Sequence, residues 1–269
     1  MSISAKISNH QVVSREKWVE ARKALLDREK ELTRQRDEIS RQRRELPWVK
    51  VEKNYVFDGP KGKEKFADLF DGRSQLIVYH FMLGPGWEEG CPSCSFLMDH
   101  VDGTLVHLNA RDVTLVAISR APLPQIEAFK KRMGWRFKWL SSNGNDFNFD
   151  YQVSFTKDDI ARGNVYYNYD KIPGSPSEEL PGISVFYKDA SGDIFHTYSS
   201  YARGGDLLLG TYNFLDLTPK GRDEDGLAFT MAWVRHHDRY GEGYVVDPTA
   251  QYSPPKGSIC SHCEEESHS

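Results

Sequence analysis

The feature that most constrains this chain is Cys91-Pro92-Ser93-Cys94, set where the apolar run Leu76-Ile77-Val78-Tyr79-His80-Phe81-Met82 gives way to a helical pattern. A buried strand feeding a helix is one half of a parallel crossover, so the motif predicts an α/β sheet around it. A cysteine in the first turn of a helix meets unpaired N–H groups and the positive end of the macrodipole, both of which favour its thiolate. Cys91 is therefore the candidate nucleophile. Cys94, one turn on and on the same face, is placed to attack a mixed disulfide and close the ring. The same spacing also suits a pair of inert buried thiols or half of a zinc site, and spacing alone does not choose among them.

The pattern on either side decides more. Ser14 caps a highly charged helix that Pro47 stops, with Trp18, Leu25, Leu32, Ile39 and Leu46 at seven-residue intervals. The companion heptad positions are mostly polar, which argues against an autonomous coiled coil. This stripe suits the main domain or a second subunit, so a homodimer through the helix is one of two expectations. Beyond Pro47, Tyr55-Val56-Phe57 reads as a strand and Glu64 to Phe70 as a helical turn or two. From Cys91 a helix is expected with Leu97, Met98, Val101, Leu105 and Val106 on one face. Val113 to Ile118 is the next core strand, Pro124 opens a helix carrying Ile126, Phe129 and Met133, and Phe137 to Leu140 is strand-like. Gly182 to Tyr187 and Ile194 to Tyr198 read as a hairpin around Asp189-Ala190-Ser191-Gly192-Asp193, and a helix is expected from Leu207 to Leu217.

The order strand, cysteine helix, strand, helix, hairpin, helix predicts a thioredoxin-like α/β fold with an N-terminal charged helix and a C-terminal extension. The expected boundaries are 1–46 for the charged helical segment, 47–220 for the thioredoxin-like domain and 221–269 for the extension and polar tail. A tyrosine-rich stretch at about 141–181 is too long for a simple connection and is expected as an inserted functional loop. Open α/β sheets carry their chemistry at the carboxyl ends of the parallel strands, where Cys91 falls.

With 269 residues, the chain can bury one good core with extensions. Its net charge of −4 gives no reason to expect nucleic acid or an anionic membrane as partner. The mean hydropathy of −0.61, with no long apolar run, predicts no transmembrane segment. The start lacks the pattern of a secretory leader, so a cytoplasmic location is the expectation. Four cysteines are too few for a disulfide scaffold.

Three segments, Leu46-Pro47-Trp48-Val49, Trp87-Glu88-Glu89-Gly90-Cys91-Pro92-Ser93-Cys94 and Trp233-Val234-Arg235-His236-His237-Asp238, resemble a thioredoxin-like family of otherwise unknown function. Its members are predicted dithiol-disulfide oxidoreductases. The resemblance runs from the charged helix to the region of Asp247-Pro248-Thr249 and implies a fold and a chemistry class, without a substrate. With the redox reading, a protein or small-molecule thiol or disulfide is the expected partner, and no cofactor and no metal are expected at the site. Thioredoxin has tryptophan directly before its first cysteine and Gly-Pro between the two. Here Gly90 precedes Cys91, Trp87 lies four residues back and the spacer is Pro92-Ser93, so a redox potential does not transfer. Glu88 and Glu89 are expected to raise the thiol pKa where they lie close. Pro181 is the nearest candidate for the cis-proline that faces the cysteines in thioredoxin. Peroxide reduction lacks its motif, because Glu88 stands where a peroxiredoxin-like site carries threonine.

Other candidates each have a plain structural alternative. Cys260-Ser261-His262-Cys263, with His268 near, can bind zinc, relay electrons to Cys91 and Cys94, or be incidental to a polar tail. His236 and His237 can orient a substrate or form a hydrogen-bonded cluster joining the extension to the core. His80 can influence Cys91 or be a satisfied core histidine. Tyr166, Tyr167 and Tyr169 can line a groove or simply cover the sheet. The competing function class is a non-catalytic thioredoxin-fold binding or scaffold protein with structural or zinc-bound cysteines.

Overall fold

A computed structural model describes residues 10–163, 165–172 and 177–241. The chain opens with a 31-residue helix α1 (Arg15–Glu45), capped by the Ser14 hydroxyl, which accepts the Lys17 N–H at 3.4 Å. It ends at Leu46, whose extended backbone (ψ 141°) is what a following proline demands. Of the two covers expected for its apolar stripe, the main domain does not supply one. No residue of α1 is buried, and Trp18, Leu25, Leu32, Ile39 and Leu46 remain 44–57% exposed. The Arg43 guanidinium lies over the Tyr198 ring at 5.5 Å.

The remaining strands are β1 (Val49–Lys50), β2 (Val56–Gly59), β3 (Gly62–Lys65), β4 (Gln75–His80), β5 (Val113–Ser119), β6 (Lys138–Ser141), β7 (Val165–Tyr167), β8 (Asp170–Ile172), β9 (Gly182–Lys188) and β10 (Ile194–Tyr201). Eight of them form one sheet in the order β1-β10-β9-β4-β5-β6-β2-β3. β4, β5 and β6 run parallel, with Val78 opposite Val116 and Ala117 opposite Trp139. β9 is antiparallel to both β4 and β10, with Tyr79 opposite Ile183. This is the expected thioredoxin-like arrangement, with parallel strands joined by crossovers and an antiparallel hairpin on the other side of β4.

The helices are α2 (Pro92–Met98), α3 (Leu105–Ala110), α4 (Leu123–Arg132), α5 (Phe147–Asp150), α6 (Lys157–Ala161) and α7 (Gly210–Leu215). The single helix expected from Cys91 through Val106 is in fact two short ones, and Val106 is 67% exposed. The intervening turn explains the break. Asp102 leaves the helical path and its carboxylate takes the N–H groups of Arg136 and Phe137 at 2.8 and 2.9 Å, pinning the turn to the approach to β6. The expected helix 207–217 likewise divides, into a 3-10 turn (Ala202–Leu208) and α7. Glu64 and Lys65 belong to β3, and a 3-10 turn (Phe66–Phe70) follows. The stretch expected as an inserted loop carries α5, α6 and the β7–β8 hairpin.

The core has two main layers, one on each face of the sheet. Strand alternation divides β4 between them: Leu76 and Val78 enter a cluster with Phe57, Phe66, Phe147 and Phe186, while Tyr79 joins Phe81, Phe129, Trp135 and Trp139 on the other side. Both cysteines belong to the second layer. A third, smaller cluster of Val153, Phe155, Val165, Tyr167 and Tyr201 lies under the tyrosine-rich stretch.

Candidate active site

Past the carboxyl end of β4 the chain turns through Leu83–Gly90 and returns, so that the Cys91 N–H reaches the Met82 carbonyl at 3.1 Å. Cys91 is the N-cap of α2 and Pro92 its first residue, where the missing N–H leaves no helical bond unmade. The Cys91 carbonyl takes both the N–H and the hydroxyl of Ser95, each at 3.0 Å. Gly90 is required for this approach: a Cβ there would stand 2.5 Å from the Phe81 ring and 2.7 Å from the Phe129 ring.

Cys91 and Cys94 are free thiols in contact with each other. The site departs from expectation in exposure, because Cys91 is only 4% exposed and Cys94 1%. Residues of 177–183 and 200–209 line an open cavity beside them. The Cys91 pKa lies below the ordinary thiol value. The Cys94 thiol donates to its sulfur, and the N–H groups of Cys94 and Ser93 and the Ser93 hydroxyl add to this against the penalty of burial. The Cys94 thiol is pushed well above its ordinary value by burial and by the Cys91 thiolate beside it, an effect the Tyr79 hydroxyl and the Met82 N–H partly offset. The asymmetry is local. With α2 only seven residues long, donors in direct contact do more than a macrodipole would.

The cavity beside the pair holds about 410 Å³. Tyr79, Met82, Cys91, Ser93, Cys94 and Leu97 line it together with Pro181, Ile183, Leu209 and Met231. Pro181 is thus brought to the cysteines, but not as a cis-proline, since no peptide bond among the described residues is cis. Its approach is held extended: the Leu180 N–H bonds to the Val153 carbonyl at 2.9 Å, and the Pro181 carbonyl accepts the Tyr167 hydroxyl at 2.7 Å.

Trp87 is buried in the aromatic layer and lies outside the cavity lining, and its carbonyl accepts a hydrogen bond from Gln125. Glu89 is drawn away from the thiols by Arg132 at 2.8 Å and Arg239 at 2.7 Å, so its charge is spent on cations rather than on raising Cys91. His236 is buried and donates from Nε2 to the Gly90 carbonyl at 2.8 Å, which leaves Nδ1 to accept from Arg132 at 3.3 Å. Burial lowers its pKa. Arg132 also binds both oxygens of Asp238, at 2.8 and 2.9 Å. His237 pairs instead with Asp99 at 2.7 Å. The two histidines therefore serve different contacts, His236 bracing the cysteine loop at Gly90 and His237 the far end of α2 at Asp99.

His80 is buried on the opposite face of the sheet, bonded to the Ser184 hydroxyl at 2.9 Å and stacked on Phe147 and Tyr151. It does not approach the thiols. Tyr167 and Tyr169 bond to backbone carbonyls, and Tyr166 is exposed. The residue that the motif did not reveal is Tyr79. Period-two alternation along 76–82 places it on the face shared with Phe81, a signal available in the sequence. Cys260, Cys263 and His268 lie outside the described residues. Among the described residues no group of three or more metal-ligating side chains comes together, and no helix is long and apolar enough to cross a membrane.

A dithiol heading a helix at the carboxyl end of a parallel strand in a mixed sheet defines a thioredoxin-like α/β protein. The chain belongs to the family described as "Bacterial protein of unknown function (DUF899)", whose profile matches residues 7–240. No curated protein matches it. Among solved structures it is similar to peroxidoxin BcpB from Mycobacterium tuberculosis, at 12% identity and TM-score 0.41 over 62% of this chain and 95% of that one. A mutant of Xanthomonas campestris peroxiredoxin Q aligns at 11% identity and TM-score 0.40 over 59% and 90%. A yeast mitochondrial 1-Cys peroxiredoxin aligns at 18% identity and TM-score 0.37 over 64% and 78%.

Proposed function

We propose that this protein is a dithiol-disulfide oxidoreductase, with Cys91 the nucleophile and Cys94 the resolving thiol. The observation that carries the reading is the opposite displacement of the two thiols, Cys91 down and Cys94 up, at the wall of a cavity. A lowered pKa keeps more of Cys91 as thiolate near neutral pH, and a raised one keeps Cys94 protonated until the mixed disulfide has formed. In the reductive half-reaction the Cys91 thiolate attacks one sulfur of a disulfide R–S–S–R and releases R–S⁻. Cys94 then loses its proton and attacks the Cys91 sulfur, forming the Cys91–Cys94 bond and releasing the second R–S⁻. Two electrons pass to the substrate, and the two thiol protons end on the two product thiols. A thiol reductant reverses the oxidation of the pair.

The test is the pH profile of alkylation by a small neutral reagent. Cys91 is expected to react with a midpoint below that of an ordinary thiol, which is about 8.5. The Cys91→Ser variant should lose this fast phase, and Cys94→Ser should keep it and accumulate mixed disulfides. A Cys91 that alkylates no faster than a free thiol, together with stoichiometric zinc, would overturn the reading in favour of a structural pair.

A further inference from the structure

Resting on the redox reading, we propose that the substrate is a small, uncharged, largely apolar disulfide and not a folded protein or an ionic one such as glutathione disulfide. With Cys91 4% and Cys94 1% exposed, the two thiols sit at the wall of a cleft and not on the outer surface, which favours a reactant small enough to enter it. The reacting molecule must enter the cavity of about 410 Å³, a size that suits a small ligand and excludes a folded chain. Beyond the two thiols the wall is mainly Met82, Leu97, Pro181, Ile183, Leu209 and Met231. Among the described residues that line the cavity, the charged ones are Arg203 and Asp206. They bind each other at 2.9 and 3.0 Å, and with 82% of its side chain exposed Arg203 stands at the solvent-facing rim, so the interior of the cavity beside the thiols carries no charged side chain. An anionic or zwitterionic disulfide would shed part of its hydration shell here without a counter-charge inside the cavity, which disfavours its entry. An apolar one gains from the same transfer.

The experiment is single turnover of the pre-reduced protein, following thiol release. The probes are neutral 2,2′-dithiodipyridine, dianionic 5,5′-dithiobis(2-nitrobenzoate), glutathione disulfide and insulin. Each rate is divided by that of dithiothreitol with the same probe, which removes intrinsic electrophilicity. The normalised rate for the neutral probe should exceed the others by at least about tenfold. Met231, partly buried at the cavity and packed against the core, is where a charge of either sign is introduced, and the denaturation midpoint of each variant is measured beside its rates. Met231→Glu should slow the neutral probe and the dianion further, whereas Met231→Lys should raise the dianion selectively. Equal normalised rates across the panel, or insulin reduced fastest, would overturn the substrate class while leaving the oxidoreductase reading intact. If no probe oxidises the Cys91–Cys94 pair, the oxidoreductase reading itself falls and the substrate class with it.

Discussion

Tyr79 and His80 are neighbours in β4, yet they stand on opposite faces of the sheet in environments of different character. Tyr79 reaches Cys94 and the cavity, among groups whose protonation states are set against one another. His80 is enclosed by Phe147, Tyr151 and Ser184, with its Nδ1 unpartnered, and burial lowers its pKa to about 3. Both rings are buried and polar. The difference lies in what each ring meets: Tyr79 faces a thiol pair whose two members are displaced in opposite directions, at an open cavity, while His80 faces aromatic rings and a serine-linked His196, where burial keeps it neutral.

The largest effect that sharpens this contrast is on stability. His80 is neutral in the folded protein down to about pH 3, whereas the unfolded chain takes up the proton near 6.5. Stability is therefore whole above pH 6.5 and is lost as pH falls toward 3, by on the order of 5 kcal/mol over the window. Glu179, raised to about 7 by burial, acts in the opposite sense between 4.5 and 7, so the readout must be the difference between wild type and His80→Leu. Chemical denaturation of both across pH 4–8 should show a flatter dependence for the variant, with alkylation of Cys91 unchanged. A change in Cys91 reactivity would break the separation of the two faces.

A smaller effect is expected at Gly90, on the reactive face. An alanine methyl would press on Phe81 and Phe129, and overpacking of this kind costs about 1–3 kcal/mol. Gly90→Ala should lower the denaturation midpoint and also shift the alkylation profile, because Cys91 moves with its neighbour. The smallest effect is that of Tyr79→Phe. Losing the hydroxyl that donates to Cys94 removes about 1 kcal/mol of support for its thiolate, so resolution of the mixed disulfide should slow by about fivefold to tenfold. Stopped-flow measurement of release of the second thiol reads this step, and the first attack should be nearly unaffected.

Much of this arrangement was legible beforehand. The apolar run before Cys91 and the hairpin around Asp189–Asp193 gave the central strands within a few residues of their observed limits, because buried strands write themselves as continuous hydrophobicity and turns as Gly and Asp. The helix after Cys91 was overextended, since the periodic pattern of Leu97 to Val106 says nothing of Asp102 binding Arg136 and Phe137 across the fold. Trp87, four residues before Cys91, packs into the aromatic layer outside the cavity lining, a placement that nearness in sequence does not reveal.

The sequence by itself determined that a strand, a cysteine-headed helix and an antiparallel hairpin would form, because those are properties of local periodicity and capping. Only the tertiary structure decided that Cys91 would be enclosed, that Glu89 would be neutralised by Arg132 and Arg239, and that the cavity beside the dithiol would be apolar. Those outcomes depend on segments as distant as 177–183, 200–209 and 231–239 converging on one point, and no local pattern encodes the distance between residues that meet only when the chain is folded.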